Sequence, residues 1–247
     1  MLPHMRLFLP LFVALHVPLL AQADDRPLRV AVLENAPPMA FRDKNGELTG
    51  FSVGIARALC EEMKVSCEFH ATTLDRLVDA LALGEYDIAA ASLLDTPERR
   101  SKILFAKAYF RSLSLWFAKP GVPPGQAGIR VAVVRGSAQE AFAHQRGWAT
   151  VGVPTNAQLG VPLTAGIAQA AIIPMITSMN LSKTPEFQKL GMVSTILPDA
   201  ELKGDASFGI NPRQPELKEA LDAALERIKR NGVYDRINSQ FLPFRVN

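Results

Sequence analysis

Apolar and polar positions alternate along this chain with two periods. Leu28 to Leu33 is a nearly continuous apolar run with Arg29 at its mouth, the mark of a buried strand. Residues 34–39 hold two prolines and read as loop. Residues 41–48 enclose Asn45-Gly46, whose tolerance of positive φ predicts a small hairpin. The spacing then becomes helical: Val53, Ala56, Leu59, Cys60 and Met63 share one face, with Ser52 placed to cap the helix. A strand over residues 67–71 precedes a second amphipathic helix over 73–83, which Gly84 should stop. Residues 87–91 read as a short, fully buried strand.

The second half repeats the pattern. After Thr96-Pro97-Glu98-Arg99-Arg100, residues 113–118 form another apolar strand, and Pro120 to Gly125 breaks the chain with three prolines and two glycines. The first crossing between two lobes is expected at that break. A strand over 129–134, a helix over 137–145, and strands near Val151 and over 170–173 follow, with a return strand over 206–210. Leu217, Leu221, Ala224, Leu225 and Ile228 share one face of a helix over 216–230, ended by Asn231-Gly232, and a short helix over 234–241 closes the chain. Strands alternating with helices imply an α/β fold with parallel sheets. An α/β run, an interruption, a smaller α/β run and a return imply two open sheets joined by a two-strand hinge. The expected lobes are 24–117 with 207–247, and 118–206. Ligands of such folds bind at the carboxyl ends of the strands, facing the cleft.

The first 23 residues read differently. Arg6 precedes an apolar stretch from Leu7 to Leu20, and Ala21-Gln22-Ala23 offers a small-residue cleavage site, the layout of a secretory signal peptide. The stretch is shorter than the roughly 20 residues that span a bilayer, and two prolines interrupt it. A soluble, periplasmic protein starting at Asp24 is expected. Over the whole chain 27 Lys and Arg face 24 Asp and Glu, with no basic stripe, so nucleic acid is not an expected partner.

Cys60 and Cys67 are the two cysteines, and in an exported chain an isolated pair reads as a disulfide. His70 and His144 are far apart in sequence, so neither a metal site nor a catalytic Cys/His pair is expected, and no cofactor is implied.

Several spaced motifs run through nearly the whole chain. They include Asp43-x-x-Gly46-x-Leu48-x-Gly50-Phe51, Cys60-x6-Cys67, Leu77-x3-Leu81-x2-Gly84-x2-Asp87-Ile88 and Thr96-Pro97-Glu98-Arg99. Phe105-x3-Tyr109-Phe110, Val133-x2-Gly136-Ser137 and Leu225-x6-Gly232-x-Tyr234-Asp235-x-Ile237-x3-Phe241 complete the series. In this order the chain resembles the bacterial solute-binding family 3, the periplasmic polar amino-acid-binding proteins. It is most like the lysine/arginine/ornithine- and histidine-binding group. The resemblance implies a two-lobed periplasmic-binding-protein fold of type II, no enzymatic activity, and a monomer that delivers a small solute to an inner-membrane ABC permease. It also implies that Arg99 clamps the ligand's carboxylate, a match between paired N–H donors and a planar anion. Gly136-Ser137, ahead of a helix, would add backbone donors.

The chain departs from the family where the solute's other groups would sit. Stacking aromatics fall at Ala36 (or Asn35, with a shift of one) and at Leu74. The hydroxyl-bearing strand end reads Ala91-Ser92-Leu93-Leu94, keeping Ser92 alone. The second-lobe acid that pairs with an α-ammonium falls at Pro174. Glu34 and Asp95 are candidate replacements. These departures favour a carboxylate-bearing solute with less need of an ammonium. Two other functions compete: a free-standing periplasmic sensor, and a dehydratase of cyclic carboxylic acids in which Glu34, Asp95 or His144 would supply acid–base chemistry.

Overall fold

The computed structural model describes residues 26–246, so the leader and its cleavage site lie outside the described residues. Strand β1 (Leu28–Leu33) leads through the proline loop into the hairpin β2 (Phe41–Arg42) and β3 (Leu48–Thr49), then helix α1 (Phe51–Met63). The helix begins two residues earlier than the cap reading requires. Gly50 is the N-cap at φ 120°, and a Cβ there would lie 2.5 Å from the Met39 carbonyl oxygen, so only glycine fits. Ser52 is instead wholly buried in the helix, its Oγ 2.9 Å from both Ser92 Oγ and Tyr109 Oη.

Strand β4 (Cys67–Thr72), helix α2 (Leu74–Leu83), β5 (Ile88–Leu94), the one-turn α3 (Pro97–Arg100) and β6 (Leu104–Phe105) complete the first pass. Gly84 ends α2 in the left-handed conformation, φ 84°. The Cys60–Cys67 disulfide ties the last turn of α1 to the start of β4. Then come β7 (Phe110–Ala118), β8 (Arg130–Val134), α4 (Ala138–Gln145), β9 (Ala149–Val153), α5 (Gly160–Thr164) and β10 (Ala170–Pro174). Helices α6 (Met175–Leu181) and α7 (Pro185–Gln188), β11 (Val193–Ile196), β12 (Lys203–Ile210), α8 (Pro215–Arg230) and α9 (Val233–Phe241) end the chain. None of the described helices is long and apolar enough to cross a membrane.

The strand order is β4-β1-β5-β12-β7-β10-β8-β9, with β6 beside β12 and β11 beside β7. β4, β1 and β5 are parallel, as are β10, β8 and β9, while β12 and β7 run against their neighbours. Pairing is continuous because β7 serves both lobes. Residues Phe110 to Leu113 pair with Ala206 to Lys203 of β12, whereas Ser114 to Ala118 pair with β10. The chain therefore changes lobes inside β7. The Pro120–Gly125 segment is a turn beyond that strand, pinned by Trp116 Nε1 donating to Val122 O at 2.8 Å.

Beside the crossing, Ser114 is fully buried; its Oγ donates to Leu202 O and accepts from Gln139 Nε2. Each lobe has its own core. In the first, Phe51 packs among Tyr109, Phe110 and Tyr234. In the second, Phe117 stacks on Phe187 with ring centres 4.3 Å apart. The α/β two-lobed architecture of the sequence reading is the one observed.

Candidate ligand-binding cleft

Between the lobes lies a cleft of roughly 740 Å³, its open mouth included. Leu33, Leu94, Val134 and Pro174, at the carboxyl ends of β1, β5, β8 and β10, all line it. That is where an open α/β sheet leaves backbone and side chains free to meet a ligand.

Arg99 reaches it from α3. Pro97 occupies the first turn, and Thr96 Oγ1 accepts a hydrogen bond from the Arg99 backbone N–H, so the short helix is set by its own sequence. The residue is 8% exposed. Nη1 donates to Leu94 O and Nη2 to Gly136 O, both at 3.0 Å, and both acceptors are neutral carbonyls. Among the described residues no ion pair involves Arg99. Burial pushes its pKa down to about 10, only partly offset by the charge of Glu98. The guanidinium stays charged at neutral pH. It is thus a desolvated cation without a counter-ion, an arrangement that favours an anion arriving from outside.

Ser137 sits opposite as the N-cap of α4. Its Oγ accepts from the Glu140 N–H at 3.0 Å, which leaves the hydroxyl proton free to donate. Glu140 Oε2 accepts from the Gly136 N–H at 2.7 Å, a capping box displaced outward by one residue. Gly136 has φ +72°, and a Cβ on it would lie 2.5 Å from Asp75 Cα in the other lobe. Arg135 Nε also meets Asp75 Oδ2, at 3.2 Å, and Ala157 N–H donates to Asn35 O, so the lobes touch at two further places.

Ala91 and Ser92 form its floor. Leu94 and Leu93 pair with Ala206 and Ser207, but pairing resumes only at Ala89 and Gly209, and Ser92 adopts φ 53° inside this bulge. The bulge aims the strand end at the cleft and explains why β5 runs on to Leu94 rather than stopping at Ala91. Ser92 Oγ bonds Ser52 Oγ and Tyr109 Oη, and burial raises the Tyr109 pKa well above the ordinary phenol value, keeping it a donor.

The structure brings Arg99, Ser137, Ala91, Ser92, Leu74, Ala36 and Pro174 to one cleft. Gly136 stands at its edge through its carbonyl. Glu34 and Asp95 are elsewhere. Glu34 is exposed beside a separate small pocket with Asn35 and Thr155. Asp95 faces a wider groove behind Arg99 and pairs with Arg100; His144 faces the same groove and meets Thr150. Ser112, Gln139, Asn156 and Thr177 also line the cleft and were missed in sequence. Thr177 could have been found from its place in the first turn after β10, since such turns face the cleft. Among the described residues, no group of three or more His, Cys, Asp or Glu could hold a metal ion.

Two lobes joined by paired crossing strands, closing over a buried cation, define a solute-binding protein. The chain belongs to the bacterial extracellular solute-binding proteins, family 3, whose model matches residues 28–244. It is 28% identical over 238 residues to an L-arginine-binding protein of Pseudomonas aeruginosa, covering 91% of each chain. It is 26% identical to the lysine/arginine/ornithine-binding periplasmic protein of Escherichia coli, covering 89% of this chain and 88% of that one. Among solved structures, an ancestral amino-acid-binding protein, described as a precursor of cyclohexadienyl dehydratase, superposes with a TM-score of 0.74 at 26% identity. It covers 87% of this chain and 95% of that one.

Proposed function

We propose that the protein captures a small carboxylate-bearing solute in the periplasm and, as a monomer, hands it to an inner-membrane ABC permease. One lobe gives way to the other within β7, between Leu113 and Ser114, the chain returns through β12, and flexing of these two strands closes the lobes on the solute. The observation that carries this reading is Arg99: a buried guanidinium facing the cleft that donates to two neutral carbonyls and, among the described residues, forms no ion pair. Its fork takes the carboxylate, and Ser137 Oγ–H and the first-turn N–H groups of α4 take the remaining lone pairs. The relatives' amino-acid solutes, each bearing a carboxylate, support the same reading.

Turnover finds less support. Acid–base catalysis needs a titratable group within hydrogen-bond reach of the reacting atoms. Glu34, Asp95 and His144 do not line the cleft; Asp95 and His144 line the adjoining groove that Arg99 also borders, and Glu34 lines a small pocket of its own. A thermal-shift screen of residues 24–247 against amino acids, keto acids and simple carboxylates tests the proposal, because a ligand of the folded state raises Tm by mass action. Hits should be carboxylates, should be lost in Arg99→Ala, and should be recovered unchanged after incubation. Chemical conversion of a hit would replace binding with catalysis.

A further inference from the structure

Resting on that carboxylate-clamp reading, we propose that the solute is a monocarboxylate with an apolar body and no ammonium group, a class that includes 2-oxo and 2-hydroxy acids. The argument is one of charge balance. Of the twenty residues lining the cleft, Arg99 alone carries a charge. A monoanion closed into it leaves a neutral site. A zwitterion leaves one uncompensated positive charge, and a basic amino acid leaves two; either is held in a space from which water has been expelled.

The nearby acids do not change the balance. Asp75 pairs with Arg135, Asp95 pairs with Arg100, Glu140 accepts from the Gly136 N–H, and Glu98 is exposed. All four line an adjoining groove, which shares Arg99 and Ser137 with the cleft, and none of them lines the cleft itself.

The rest of the lining fits the same class. Pro174, at the end of β10, offers no side-chain donor or acceptor, and Leu74, Ile172 and Phe110 give an apolar wall. Asn156 and Thr177 are neutral polar groups suited to a keto or hydroxyl oxygen.

The test is isothermal titration calorimetry at pH 7 with matched pairs that differ at the amino group: 4-methyl-2-oxopentanoate against L-leucine, and 3-phenylpropanoate against L-phenylalanine. Acetate, butanoate and hexanoate serve as further probes. In at least one pair the acid lacking the ammonium should bind about tenfold tighter or better. Pro174→Asp should reverse that preference by supplying the missing negative charge, and Pro174→Asn, of similar size, should leave it as it was. An amino acid binding as tightly as its partner, with affinity still lost in Arg99→Ala, overturns this inference and leaves the clamp standing. Binding that survives Arg99→Ala, or silence from every carboxylate tested, overturns the clamp and the inference together.

Discussion

Arg99 Nη2, in one lobe, lies 3.0 Å from the carbonyl oxygen of Gly136, in the other. The same guanidinium proposed to hold the solute therefore also bridges the lobes, so ligand capture and closure share one group. Replacing it separates two effects. Arg99→Ala should lower carboxylate affinity by about 100-fold or more, the cost of removing one partner from a desolvated charged pair. Tm of the unliganded protein should stay level or rise, because a buried cation without a counter-ion is lost as well. Arg99→Lys should rescue little, since an ammonium lacks the planar fork. Titration calorimetry and a melting curve on the three proteins check this; a large fall in Tm of the free protein would mean that Arg99 is a structural brace.

Gly136 makes a second, independent demand on closure. Its φ of +72° and its contact with the α2 backbone leave no room for a methyl group, because a Cβ would approach Asp75 Cα to 2.5 Å. Backbone atoms do not yield as a flexible side-chain tip does. Gly136→Ala should hold the lobes apart, lowering affinity at least about tenfold and destabilising the unliganded protein by about 1 kcal/mol through the left-handed backbone. Small-angle scattering with and without a saturating ligand should show compaction in the parent protein and little in the variant.

Much of the scaffold was legible because local chemistry wrote it: Gly84 stops α2, the apolar face of α8 repeats at helical spacing, and Thr96-Pro97 seats Arg99 at the cleft. The failures share a cause. Ser52 looked like a cap because its type favours caps, yet the close approach of Met39 forced glycine into that place and drew the serine into a buried triad with Ser92 and Tyr109. The lobe crossing looked like the Pro120–Gly125 break, whereas it is a change of pairing partner at Leu113 and Ser114 that side chains do not signal. Glu34 and Asp95 looked available because charge is visible in sequence, while the direction a loop faces is not. Ser112, Asn156 and Thr177 are common residue types, and only the tertiary fold brings them together.

The disulfide closes a short loop between the end of α1 and β4, with a sequence separation of 7. Loop-closure entropy for so few residues predicts a contribution of about 2.5 kcal/mol. Reduction, or Cys60→Ala with Cys67→Ala, should lower Tm by about 5–10 °C for a chain of this size. Ligand affinity at 25 °C should be nearly unchanged, because Cys60 and Cys67 do not line the cleft. A parallel loss of affinity would show that α1 transmits strain to Ser92 through Ser52.

Asp87 fixes the acid limit of the fold. Its carboxylate is fully buried at the start of β5 and accepts from Arg26 Nη1 at 2.8 Å, from Arg29 Nη2 at 3.0 Å, from the Arg29 backbone N–H at 2.8 Å, and from Gln214 Nε2. It thereby joins β1, β5 and the approach to α8. Burial opposes its ionisation, but the hydrogen bonds from Arg26 and Arg29 outweigh it and hold the pKa below the usual carboxylate range. In the unfolded chain the group titrates near 3.9. Its contribution is therefore complete above about pH 5 and is lost as pH falls below about 4, where the unfolded chain takes up a proton that the folded state resists. Asp87→Asn should cost about 2 kcal/mol at pH 7. That is less than breaking a fully buried pair, because both arginines keep part of their hydration. More tellingly, Tm of the variant should fall less steeply than that of the parent between pH 5 and pH 3, so the two curves converge. Curves that stay parallel to pH 3 would place the acid sensitivity in other carboxylates and reduce the Asp87 cluster to a packing role.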